Sequence, residues 1–147
     1  EWLAALRLCS NVPSQWAVQT ALGGYQSIFE LTAPGGRLYD SRQTILDAVG
    51  QSEYLYVTPP DGSMYAFIGV DEQKVPGFDD EVFALKLLEA QQVLLAPGSS
   101  FNTPYKTHFR ITLLPEAPQL KQVIEKIDAV LTSMRSARPS VVEGGRS

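Results

Sequence analysis

The sequence predicts an α/β sandwich with a mixed β-sheet, and three observations lead to this prediction. Helix-like segments come first, followed by two β-rich runs, and then by a helix, two strands and a helix. Residues 108–114 alternate apolar and polar side chains, which is typical of a strand with one buried face. Residues 120–134 carry apolar side chains at steps of three and four, which is typical of a helix packed on a sheet.

The first part of the chain is predicted to be helical. Residues 2–8 have the composition of a helix, and the sequence around Pro13 breaks it, because proline suits the first turn of a new helix. That new helix is expected over about residues 14–22, ended by Gly23. Apolar residues at helical spacing over 38–49 predict a further helix.

The second part of the chain is predicted to supply the sheet. Two β-rich runs, 54–57 and 64–68, flank the turn residues 58–63 and predict a hairpin. The acidic residues 79–81 suit the positive end of a helix. The short apolar run 93–96 then predicts a buried strand, which precedes the strand that contains Arg110.

Length and composition predict one domain over residues 1–135 and a flexible tail over residues 136–147. The chain has 147 residues, of which 44% are hydrophobic and 19% charged, and this is enough for one core. The tail is rich in Ser, Pro, Gly and Arg and lacks apolar anchors. Because the chain starts at Glu1 rather than Met, we expect it to be a piece of a longer protein.

The charge and the lengths of the apolar stretches argue against nucleic-acid and membrane partners. The net charge is -4, from 12 basic and 16 acidic residues without a basic run, so electrostatic attraction to nucleic acid is missing. No stretch approaches the roughly 20 apolar residues of a membrane span, and no signal leader opens the chain. The single cysteine, Cys9, is expected to be a small buried hydrophobe. A cytoplasmic protein is therefore expected.

Arg110 is the residue that most clearly indicates a binding site. It is the strong cation within a β-forming run, where Phe109 faces the core and Arg110 faces the other way together with His108. A guanidinium offers a planar fork of donors that matches a carboxylate, and a strand holds this fork rigidly. The sequence thus predicts an anion receptor. The structural alternative is an arginine that caps a sheet edge or pairs with a surface acid.

Neighbouring segments offer further candidates, each with a structural alternative. The loop 97–102 places small residues and backbone donors where a ligand approaches closely, or it is an ordinary solvated loop. His108 either tunes the site or makes a structural hydrogen bond. Tyr65 either lines a substrate pocket or fills the hairpin. Because no nucleophilic triad, metal cluster or phosphate loop can be argued from spacing, these residues offer binding chemistry without a nucleophile.

Six segments, in collinear order, resemble the carboxy-terminal part of class I pyridoxal-phosphate aminotransferases, with the greatest likeness to bacterial glutamate-pyruvate (alanine) transaminases. The likeness covers about residues 1–135, and the segments are 7–15, 21–28, 33–39, 60–67, 97–102 and 108–110. It implies the fold of the aminotransferase small domain, a two-layer sandwich with helices packed on one face of the sheet.

The resemblance also implies roles for particular residues. Arg110 matches the arginine that binds the α-carboxylate of the substrate in this family. Gly62, Tyr65 and Asn102 match positions near the substrate mouth. The segment around residues 10–11 matches one that approaches the active site across a dimer interface, so the full-length enzyme is expected to be a homodimer.

The sequence departs from the family in one decisive respect. The lysine that binds pyridoxal 5′-phosphate lies in a Ser-Lys motif upstream of the matching region, and none of the five lysines here has that context. The resemblance therefore implies a transaminase that uses alanine-like amino acids with 2-oxoglutarate or pyruvate, of which this chain alone is inactive. The alternative is a non-catalytic domain that binds a small carboxylate or mediates dimerisation. Thr103 replaces an aromatic residue common in close relatives, which leaves the substrate preference open.

Overall fold

The structure is a computed structural model, and it describes residues 11–136. Four strands in this part of the chain form one sheet: β1 (Leu55–Val57), β2 (Tyr65–Val70), β3 (Ala96–Pro97) and β4 (His108–Thr112). Their order across the sheet is β1-β2-β4-β3, and each neighbouring pair is antiparallel. The predicted hairpin is confirmed as β1 and β2, and the predicted Arg110 strand as β4.

The prediction of a mixed sheet is wrong. A helix between two strands is often a crossover between parallel neighbours, which would make the sheet mixed. In the structure β4 lies between β2 and β3 and pairs antiparallel with both, so the two strands joined by the helix are parallel but do not touch. Which strands pair is a long-range property, and the local hydrophobic pattern does not report it.

Five α-helices accompany the sheet in the described part of the chain: α1 (Val12–Gly23), α2 (Ser27–Thr32), α3 (Arg37–Gln51), α4 (Asp80–Gln91) and α5 (Ala117–Ser136). Side chains cap two of them, because the Asn11 Oδ1 accepts from the Ser14 N–H and the Asp79 Oδ1 accepts from the Val82 N–H. None of the described helices is both long enough and apolar enough to cross a membrane.

The core lies between one face of the sheet and α3, α4 and α5. Ile68 of β2 and Phe109 of β4 are fully buried, and Ile45, Phe83 and Ile127 bury the facing side of the three helices. Each such side chain contributes about 1.5–3 kcal/mol by leaving water. The prediction of an α/β two-layer arrangement is therefore confirmed, and β4 exposes only alternate residues, among them Arg110, on its far side.

Two further segments with predicted structure contribute little to the core. The run 93–96 was expected to be a buried strand, but only Ala96 and Pro97 pair with β4, and Leu94 is 79% exposed. The expected strand is therefore a loop that ends in a short edge strand. Helix α1 is confirmed close to its predicted bounds, yet none of its side chains is buried among the described residues.

The ends of the chain fall partly outside the described residues. The predicted helix over residues 2–8 and Cys9 lie outside them, as does Ser10 of the segment that the resemblance places at a dimer interface. Helix α5 includes Ser136, the first residue of the predicted tail, and the rest of that tail lies outside the described range as well.

Gln92 ends α4 in a left-handed conformation, with φ 55° and ψ 36°, and its N–H donates to the Leu88 carbonyl at 3.0 Å. A residue with a Cβ is strained there, whereas glycine is not. We expect Gln92→Gly to raise the free energy of unfolding of the 147-residue chain by about 0.5–1 kcal/mol. Urea denaturation measures this. The control is Lys86→Gly, at an exposed position inside the same helix, which should lower the free energy of unfolding by a similar amount. A lower urea midpoint for Gln92→Gly than for the unchanged chain would contradict the expectation.

Candidate functional site

Two aromatic rings hold the guanidinium of Arg110 between them. Its central carbon lies 4.3 Å from the centre of the Tyr65 ring and 4.4 Å from the centre of the Phe101 ring. Tyr65 comes from β2, and Phe101 comes from a 3₁₀ turn over Gly98–Phe101 that connects β3 to the loop before β4. Each cation–π contact is worth about 0.5–2 kcal/mol, so the rings fix the position of the charge.

The donors of Arg110 have no acidic partner among the described residues. The five N–H groups of a guanidinium lie in its plane, whereas aromatic rings cover its faces. Within residues 11–136 the ion pairs are Arg42 with Asp61 and Arg135 with Glu53, and no acidic side chain in this range pairs with Arg110. The alternative interpretation, an arginine tied to a surface acid, therefore finds no partner in the described residues.

The geometry of β4 explains the position of the Arg110 side chain. Arg110 alternates with Phe109 and Ile111, which are buried on the core side, so its own side chain leaves the sheet on the opposite face. It lies opposite Phe67 of β2 on one side and Ala96 of β3 on the other. Arg110 is thus on a central strand, which restricts its movement more than a loop would.

A groove of about 390 Å³ is lined by residues of β2, β3, β4 and α5, and Arg110 is among them. Its walls are mainly apolar, and all of its lining residues except Arg110 are uncharged. Carbon-rich walls with one fixed charge suit a small ligand that carries a carboxylate and an apolar part. The residues that line the groove include Tyr65, Leu94, Ala96, Thr112 and Val123.

His108 is held by structural contacts on the same face of the sheet. Its ring stacks on Phe67, with centroids 5.1 Å apart and planes 13° apart. Its Nδ1 lies 3.0 Å from the Thr107 Oγ1, and its Nε2 lies 3.4 Å from the Tyr56 hydroxyl. Partial burial lowers the pKa of His108, which favours the neutral ring at pH 7. These contacts favour the structural interpretation of His108.

The structure brings some of the predicted site residues together and not others. Tyr65 contacts Arg110 directly, and Asn102 directly follows Phe101, in a left-handed conformation at the end of the 3₁₀ turn. Gly62 lines a different groove, of about 540 Å³, and a Cβ there would meet no atom within 4 Å. The left-handed residue of this hairpin loop is Ser63, with φ 66°.

Sequence reasoning missed the role of Phe101. The loop 97–102 was singled out for its small residues and backbone donors, whereas its direct contact with Arg110 is an aromatic ring. An aromatic residue in a loop next to a strand that carries an arginine is a usable signal, because guanidinium groups stack on rings. The 3₁₀ turn that orients this ring has no comparable signature in the sequence.

The family to which the chain belongs follows from comparison with known proteins. The sequence model of the family aminotransferase class I and II matches residues 3–127. The chain belongs to the class I and II aminotransferases. The resemblance found in the sequence is therefore confirmed.

Similar proteins agree with this membership. The chain is 44% identical to the glutamate-pyruvate aminotransferase AlaA of Haemophilus influenzae, over 92% of the chain and 33% of that protein. It is 39% identical to the alanine aminotransferase of Mycobacterium bovis, over 90% of the chain and 31% of that protein. The chain thus spans about a third of the length of the curated relatives it matches.

A solved structure of an aminotransferase from Escherichia coli superposes with a TM-score of 0.78, at 39% identity, over 91% of this chain and 33% of that one. The alanine aminotransferase of Pyrococcus furiosus superposes with a TM-score of 0.71, at 27% identity, over 89% of this chain and 32% of that one. The fold is therefore that of an aminotransferase segment.

Aminotransferases of this family use pyridoxal 5′-phosphate. The described residues do not fit the covalent part of its site, because all five lysines are exposed and none stands in the expected motif; they are Lys74, Lys86, Lys106, Lys121 and Lys126. The Lys126 Nζ donates to the Gln91 carbonyl on the helical side of the molecule. What the described residues do offer is the Arg110 guanidinium, which has no acidic partner among residues 11–136.

Proposed function

We propose that this chain is the carboxy-terminal small domain of an alanine transaminase and that Arg110 binds the α-carboxylate of its substrates. The observation that carries the proposal is the guanidinium clamped between Tyr65 and Phe101, with no acidic partner among residues 11–136. Such a group presents a fixed charge and a planar fork of donors to a carboxylate. Family membership supplies the reaction class.

One carboxylate receptor serves both substrates of a transamination. Amino acids and 2-oxo acids differ at the α-carbon but share the carboxylate beside it, so a fixed Arg110 orients both in the same way. The printed names of the relatives, glutamate-pyruvate and alanine aminotransferase, favour alanine-like donors with 2-oxoglutarate or pyruvate as acceptors. The mainly apolar groove beside Arg110 agrees with a small apolar side chain.

The remaining site residues take supporting roles in this proposal. Tyr65 orients the guanidinium through its ring. By the resemblance, Asn102 and Gly62 lie near the substrate mouth of the full-length enzyme, although Gly62 lines a groove separate from that of Arg110 within residues 11–136. In a cytoplasmic homodimer, the segment around residues 10–11 approaches the active site of the partner.

The cofactor lysine belongs to sequence outside this chain in our proposal, so the chain alone binds a carboxylate but does not transfer an amino group. This follows from the five lysines, which are all exposed and of which none stands in the Ser-Lys context that the resemblance implies. The alternative is a non-catalytic domain that binds a small carboxylate or mediates dimerisation.

An activity assay separates the two possibilities. The full-length protein that contains this sequence is expected to convert alanine and 2-oxoglutarate into pyruvate and glutamate, while the 147-residue chain gives no turnover with added pyridoxal 5′-phosphate. Pyruvate formation is followed with a coupled lactate dehydrogenase assay. A natural protein of about the 16.1 kDa of this chain would contradict the transaminase proposal.

A further inference from the structure

We propose that Asp80 is a positioning residue that, through the 3₁₀ turn Gly98–Phe101, holds the ring of Phe101 against Arg110. This inference rests on the proposed function of Arg110 and deepens it. It assigns a role to a buried acid that belongs neither to the ligand groove nor to the helix cap.

Asp80 is a buried charged residue with an unusual set of partners. It lies in the first turn of α4 with none of its surface exposed. Its Oδ2 accepts a hydrogen bond from the Ser99 N–H at 2.7 Å, and its Oδ1 has no hydrogen-bond partner among residues 11–136. The cap of the helix is made by the preceding residue, Asp79, so capping does not explain Asp80.

The bond to Ser99 is the one strong interaction that this carboxylate makes within the described residues. Burial of a carboxylate is costly unless its oxygens are hydrogen-bonded, and a bond from a backbone N–H to a charged acceptor is among the stronger ones. An apolar side chain would fill the same space without that cost. The contribution of Asp80 therefore lies in fixing the backbone of the turn at Ser99.

Other contacts make the turn rigid between α4 and β4. The Ser99 hydroxyl donates to the Glu81 Oε1 at 3.3 Å, and the Asn102 N–H donates to the Ser99 carbonyl at 3.2 Å. At Gly98, directly before Ser99, an added Cβ would lie 2.6 Å from the His108 carbonyl oxygen, so the turn and β4 are in close backbone contact there. The first two residues of the turn are thus held by α4 and β4, and their position determines where the turn places Phe101.

Phe101 is the link from the turn to the binding residue. It lies two residues after Ser99, its ring is 4.4 Å from the Arg110 guanidinium, and it meets Phe67 edge-on with centroids 6.1 Å apart. If the Asp80 bond is lost, the turn is free to shift and one wall of the clamp loosens. The guanidinium then samples more orientations. This weakens carboxylate binding, and so raises KM, more than it lowers kcat.

The test uses the full-length protein and compares neighbouring acids of α4. Asp80→Ala is expected to raise the KM for alanine and the inhibition constant of propionate about 3–10-fold, with kcat changed less than about twofold. Asp80→Asn keeps an oxygen acceptor for the Ser99 N–H and should stay close to wild type. Asp79→Ala removes the helix cap but not the Ser99 bond, so it lowers thermal stability and leaves KM unchanged.

A double-mutant cycle with Phe101→Ala decides whether Asp80 acts through that ring. Phe101→Ala alone should raise KM, and Asp80→Ala should add less than about twofold in the Phe101→Ala background. Fully additive effects, or an unchanged KM in Asp80→Ala, overturn the proposal. If Asp80→Ala does not fold, an unchanged KM in Phe101→Ala overturns it instead. An Arg110 variant with unchanged KM would reject the proposed function itself, which is a separate outcome.

Discussion

Arg110→Lys in the full-length protein is expected to raise the KM for alanine on the order of 100-fold, which corresponds to about 2.7 kcal/mol of lost binding. Lysine keeps the positive charge but presents a point charge instead of a planar fork, so bidentate binding of the carboxylate is lost. It also loses the stacking on Tyr65 and Phe101. Steady-state kinetics with alanine and 2-oxoglutarate measures the change.

The matched control for this variant is Arg135→Lys. Arg135 lies on α5, pairs with Glu53 at 2.7 Å and is also within cation–π distance of a ring, that of Tyr54. Because this pair is exposed and lies away from the Arg110 groove, its loss should leave KM within experimental error. Equal kinetics for Arg110→Lys and wild type would remove Arg110 from the substrate site.

Phe109→Ala is expected to lower the free energy of unfolding of the 147-residue chain by about 3–5 kcal/mol. The Phe109 ring is fully buried and packs on Phe83 of α4, with ring centroids 5.4 Å apart. Removing it leaves a cavity between the sheet and that helix, directly behind Arg110. Urea denaturation followed by circular dichroism measures the loss.

An exposed phenylalanine provides the comparison for the core. Phe29 of α2 is 69% exposed, so Phe29→Ala should change the free energy of unfolding by less than about 0.5 kcal/mol. Similar losses for the two variants would mean that the sheet and helices do not form the core described above.

Local patterns in the sequence were sufficient for many elements. The alternation of residues 108–114 predicted β4 and the outward direction of Arg110, because side chains in a strand alternate between two faces. The apolar stripe of α5 and the turn residues between β1 and β2 predicted a helix and a hairpin that the structure contains. The family resemblance rested on short segments and was confirmed by the match to residues 3–127.

Long-range relationships were beyond these patterns. The insertion of β4 between β2 and β3 depends on pairing between residues far apart in sequence, so a mixed sheet was predicted where every described pair is antiparallel. The stacking of Phe101 on Arg110 depends on a 3₁₀ turn tethered to Asp80, which is 19 residues before Ser99 in the chain. The resemblance groups Gly62 with Arg110, whereas in the structure Gly62 lines another groove, and local sequence does not determine which cavity a loop faces.

The most direct test of the central claim is the preference of the full-length protein for a carboxylate over its neutral amide. Inhibition constants are measured for propionate and propanamide, with wild type and with Arg110→Gln. The two compounds share a carbon skeleton, but the amide is neutral and has an NH2 donor in place of one acceptor oxygen. If Arg110 binds the carboxylate, wild type prefers propionate by at least about tenfold and Arg110→Gln reduces that preference to below about threefold. A preference for propionate that is the same in both proteins would contradict the claim.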